Sequence, residues 1–129
     1  MSEGFERWYE KARLALQEAE ELLCRSLPLE AISRSFMAMI YAAGAALEER
    51  DGEISGWDDV VRLFQDEALP RLGLSMENRR ALVIVADLYR RVVEWREMEA
   101  DPLTASACLS DARSFVAETE EKVRLAQER

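Results

Sequence analysis

Ser35-Phe36-Met37-Ala38-Met39-Ile40-Tyr41-Ala42-Ala43-Gly44-Ala45-Ala46-Leu47 is the longest stretch of this chain without a charged side chain. A bilayer span needs about 20 apolar residues, so this segment is too short to cross one. Its small and apolar side chains instead describe a helix covered on several sides, the central element of a helical protein. Gly44 in mid-helix costs about 1 kcal/mol relative to alanine, which close packing of another element would offset. Pro28 is placed to occupy the first turn of this helix. Asp51-Gly52 is suited to end it, with the glycine in a left-handed position.

Working outward, Phe5, Trp8, Tyr9, Ala12, Leu16, Ala19, Leu22 and Leu23 form one apolar stripe, predicting a first helix over 3–26 with Ser2 as its N-cap. A shorter helix is predicted over 55–69, capped by Ser55 and stopped by Pro70, with Trp57, Val60, Val61, Phe64 and Ala68 facing inward. Gly73 is a turn, and Ser75 caps a fourth helix that ends near Glu99. Thr104 or Ser106 starts the last helix, whose stripe is Cys108, Ala112, Phe115, Val116, Thr119, Val123 and Ala126. The expected fold is therefore all-α: an antiparallel four-helix up-and-down bundle with one additional short helix, a single domain over 1–129.

Composition narrows the function. Hydrophobic residues make up 49% and charged residues 33%, as in a globular chain. The net charge of −9 disfavours generic binding to nucleic-acid backbones and favours solubility. The chain contains no histidine. It therefore has no Ser-His-Asp relay, no Cys-His pair and no histidine-bearing zinc or di-iron site. Cys24 and Cys108 form no CxxC pair and read as ordinary core thiols. No leader or targeting pattern is visible, and a cytoplasmic location is expected. There is no Gly-rich phosphate loop. Asp58-Asp59 reads as a pair of helix-start acids, so no metal and no cofactor is expected.

The central stretch quoted above resembles the second helix of HEPN domains, in which an aromatic-Ala-Met run leads into small residues and then Ala-Leu. Trp57-Asp58-Asp59-Val60-Val61-Arg62-Leu63-Phe64 and Asp111-Ala112-Arg113-Ser114-Phe115-Val116 are similar to the family's later helices. The order and spacing of these pieces cover nearly the whole chain. Active members of the family carry an arginine followed, after four to six residues, by histidine near the end of the fourth helix. The resemblance implies metal-independent RNA cleavage at a dimer interface for those members, and pairing of small members with a minimal nucleotidyltransferase in toxin–antitoxin or stress-related systems.

In this chain Arg96 matches the arginine, while Asp101 stands where a histidine would follow. Arg96 retains a permanent charge with five donors in a fixed fork. An aspartate starts from a pKa near 3.9 and is a poor proton shuttle at neutral pH. The expected function is a non-catalytic, homodimeric helical module with a nucleotidyltransferase partner. Arg91, Arg96, Asp101 and Tyr89 are its candidate binding residues, and the second and fourth helices are candidate interface elements. One alternative is an RNA-cleaving toxin that uses Arg96 with Asp101 or another non-histidine group. A second is a ligand-binding bundle with a pocket lined by Trp8, Phe36 and Tyr89. For Arg96 a local ion pair with Glu99 is an equally simple role, as are pairs of Arg90 and Arg91 with Glu94 and Asp87.

Overall fold

A computed structural model describes residues 3–128. The Ser2 cap falls outside the described residues. Helix α1 (Glu3–Cys24) leads into α2 (Pro28–Ala46); α3 (Gly56–Leu63) continues through a π turn (Phe64–Ala68) into α4 (Leu69–Leu72); α5 (Met76–Leu88) continues into a second π segment (Tyr89–Glu94); and α6 (Pro102–Gln127) closes the chain. These are five helical runs with no strand among the described residues, the helical bundle expected from the periodicity.

Helix α2 is the centre, packed against both α1 and α6, while α6 also packs on α1 and α5. Phe36, Ala38, Met39, Ala42 and Ala43 are fully buried. The compensation for Gly44 lies inside the chain: a Cβ there would sit 3.1 Å from Cζ3 of Trp8. At Gly44 the small residue is therefore spent on packing within the protomer. Tyr9 adds a second tie between α1 and α2, its hydroxyl donating to the Ala42 carbonyl at 3.5 Å. Burial drives that phenol's pKa upward, so it stays protonated.

Helix boundaries differ from expectation at several points. Pro70 does not stop the third run. The π turn before it widens the ladder, and Leu69 N–H bonds to Phe64 O, so the proline's missing N–H and its ring are accommodated in the next turn. Helix α2 ends at Ala46, ahead of Asp51-Gly52, because Leu47 and Glu48 turn back onto Gly44 and Ala45 while Arg71 donates to the Ala46 carbonyl. The fourth run ends at Glu94, well before Glu99. The last helix begins at Pro102, with Asp101 as its N-cap. Ser55 does occupy an N-cap position, but its hydroxyl caps nothing; its N–H instead donates to Asp59 at 3.2 Å. Ser75 caps as expected, accepting from Asn78 N–H at 3.3 Å.

The two thiols differ. Cys108 is buried, and that burial raises its pKa to about 11. Cys24 is exposed, so it is not a core residue. No helix among the described residues is long and apolar enough to cross a membrane.

Candidate functional site

The segment after α5 and the turn between α1 and α2 meet at one end of the bundle. Between them lies a cleft of about 450 Å³, lined by Ser26, Leu27, Pro28, Val92, Arg96 and Met98 among others. Ser26 and Arg96 are the non-glycine residues with positive φ in the described chain, at 60° and 56°. Each ends a helical run. After α1, Leu27 N–H reaches back to Leu22 O at 2.9 Å; after the second π segment, Glu97 N–H reaches back to Arg91 O at 2.9 Å. The first is a Schellman closure, in which a left-handed residue lets the following N–H satisfy a terminal carbonyl; the second is one residue wider, in keeping with the π segment it ends. An arginine in that conformation is strained by about 1–2 kcal/mol.

Arg96 is exposed, and its Nε donates to the Val93 carbonyl at 3.2 Å. Among the described residues it makes no ion pair, so the expected pairing with Glu99 is absent. Asp101 follows the last lining residue, Ala100, and is the cap of α6. Its Oδ1 accepts from Thr104 N–H at 2.9 Å and its Oδ2 from Thr104 Oγ1 at 2.7 Å. These two bonds, the backbone one foremost, hold its carboxyl below the usual aspartate range. A group so held stays ionised at neutral pH and has no proton to donate there.

A match to a HEPN domain family model spans residues 5–122. The chain belongs to the HEPN domain family. No curated protein matches it.

The other candidate residues of this HEPN chain are placed differently. Arg91 pairs with Asp87 at 3.0 Å, the helix-face pair expected for it. Arg90 does not pair with Glu94; it bonds Asp58 and lies over the Trp57 ring at 4.8 Å and the Trp95 ring at 5.7 Å. Tyr89 is half-buried, its ring 4.6 Å from Phe36 and 5.7 Å from Trp57. It is part of an aromatic cluster and does not line the Arg96 cleft. Trp8 stands apart, against Tyr41 and Gly44, so Trp8, Phe36 and Tyr89 do not form one pocket. Asp58 and Asp59 are held by Arg90 and Arg62 respectively, and no cluster of ligating side chains suited to a metal occurs among the described residues.

Sequence reasoning missed the exposed apolar side chains in and next to the segments that form the cleft. Trp95 is 57% exposed, Met98 48%, Leu103 84% and Leu27 39%. For Trp95 and Met98 the signal was present in the sequence, as apolar residues interrupting the charged run from Glu94 to Asp101.

Proposed function

We propose that this HEPN chain is a non-catalytic homodimeric module of the cytoplasm, which assembles through the bundle end that carries Arg96. The observation that carries this reading is the exposure of Trp95, Met98 and Leu103, which flank in sequence the Arg96 guanidinium that makes no ion pair among the described residues. Large exposed apolar side chains within one short segment of a small acidic protein favour a protein interface, and tryptophan and arginine are among the residues most enriched at binding hot spots. In this reading Arg96 contributes from the cleft, and Asp101 acts by fixing the start of α6. Arg91, paired with Asp87, and Tyr89, packed on Phe36 and Trp57, belong to the run that leads into Arg96. The family resemblance favours a minimal nucleotidyltransferase as the second partner, in a toxin–antitoxin or stress-related pair.

Light scattering across micromolar concentrations tests the dimer. Wild-type protein is expected at twice the chain mass. Trp95→Lys combined with Leu103→Glu is expected to give a monomer with unchanged helix content. A wild-type monomer throughout that range overturns the proposal.

A second reading rests on one observation: the Arg96 guanidinium faces a cleft and is not neutralised by a carboxylate. It would then stabilise charge on a phosphoryl group during RNA cleavage. That reading requires metal-independent degradation of RNA, in chelator, that disappears in Arg96→Ala. Intact RNA after incubation with purified protein removes it.

A further inference from the structure

We propose that a second cavity, between Trp8 and Trp57, is a binding site for a small primary amine with an apolar body. This cavity measures about 530 Å³ and shares no lining residue with the Arg96 cleft. That volume lies within the roughly 300–1,000 Å³ typical of small-molecule sites. Its walls are Trp8, Met37, Ile40, Ile54, Trp57 and Val60, and Gly44, Gly52 and Gly56 also border it. Such walls exclude water from a ligand's body, and a methionine adapts to its shape.

Two charged side chains reach the cavity, and they are not equivalent. Arg50 is engaged by Glu67 through two parallel bonds, Nε to Oε1 at 3.1 Å and Nη2 to Oε2 at 3.3 Å. Its charge is matched. Glu48 has no guanidinium or ammonium partner among the described ion pairs. One of its oxygens accepts from the Trp8 indole N–H, which orients the carboxylate while leaving its negative charge in place. A carboxylate retains acceptor capacity beyond a single bond. The charge read at this site is therefore negative, and the net charge of the chain reinforces it.

The rings refine the ligand class. Trp8 already has the Lys11 ammonium over it at 5.5 Å, and Trp57 has the Arg90 guanidinium over it at 4.8 Å. Each indole thus already carries a cation. Recognition then falls to Glu48, which rewards a cation able to donate N–H. A primary ammonium fits that requirement, and a quaternary ammonium does not.

Amide NMR titration of the full chain tests this, because its few glycine amides resolve well. The probes are 1-naphthylmethylamine, its N,N,N-trimethyl analogue, 1-naphthylacetate and 1-naphthylmethanol. The expected result is saturable movement of Gly44, Gly52 and Gly56 with the primary amine, while Gly73 stays fixed. Binding of the acetate and of the quaternary analogue should be weaker by about tenfold or more. Glu48→Gln preserves an acceptor for Trp8. It should weaken the amine by a similar factor and leave the neutral alcohol unchanged. The comparison among probes on wild-type protein needs no variant, so poor folding of Glu48→Gln would not rescue the idea. Equal binding of amine and acetate, equal binding of amine and quaternary analogue, or no saturation by about 5 mM amine overturns it.

Discussion

Asp101 and Thr104 form a closed two-bond unit at the start of α6: backbone N–H to one carboxylate oxygen at 2.9 Å, hydroxyl to the other at 2.7 Å. The position that the family resemblance assigns to proton transfer is thus given to helix capping. Replacing Asp101 with alanine removes an acceptor for an otherwise orphaned amide, and a loss of about 2–6 °C in thermal midpoint is expected. Asp101→Asn keeps an acceptor and should lose less. Calorimetry on the two variants checks the order.

Acid should weaken this cap and its counterpart on α5 together. Glu118 accepts from Ser75 N–H at 2.9 Å and from Asn78 Nδ2 at 3.0 Å. Its partial burial opposes ionisation, but these bonds outweigh that and leave its pKa below the ordinary glutamate value. The pKa values of Asp101 and Glu118 are therefore lower in the folded protein than in the unfolded chain. Their contribution is complete above the unfolded values, about 3.9 and 4.3, and is lost as pH falls through the lower native ones. Urea unfolding between pH 6 and pH 2.5 should show stability dropping at the acid end. The drop should be shallower in a variant carrying both Asp101→Asn and Glu118→Gln. An equally steep drop in that variant would assign the acid sensitivity to other carboxylates.

Backbone strain at Arg96 gives a separate prediction. Glycine adopts a φ of 56° without the penalty of a side chain. Arg96→Gly should therefore be more stable than Arg96→Ala by about 1 kcal/mol. Denaturant midpoints at equal slopes measure the difference. If the two variants match, the left-handed geometry is not retained in solution.

Gly44 and Trp8 supply the fourth prediction. A single Cβ at residue 44 meets the indole at 3.1 Å, and valine would add two further carbons against a ring held by Glu48. Gly44→Val is expected to lose about 1–3 kcal/mol. It should also shift the tryptophan emission as Trp8 is displaced, and Trp8→Phe in the same background should recover part of the loss. Unchanged stability in Gly44→Val would show that α1 can move away from α2 freely.

Most of the bundle was legible because its signals are local and repetitive. The charge-free run of α2 implied burial on several sides, and the structure buries it so. Pro28 and Ser75 acted where their chemistry placed them. Failures came where a local signal competes with geometry several residues away. Pro70 reads as a stop until a π turn shifts the ladder ahead of it. Cys24 follows two stripe leucines, yet it shares its helix row with Glu20 and Glu21, both exposed. At the candidate site, the identity of Arg96 was readable from its place in the family pattern. Its left-handed backbone was not, because arginine carries no preference for it. The separation of Trp8 from Phe36 and Tyr89 depends on which side of α2 each one packs, and spacing along three different helices does not encode that.

The engagement of Asp101 with Thr104 also couples chemistry to folding at this position. An imidazole installed at residue 101 would remove both carboxylate acceptors and unseat the opening turn of the longest described helix. One nucleotide separates aspartate from histidine, yet the exchange would carry a folding cost that only a second, compensating substitution could offset.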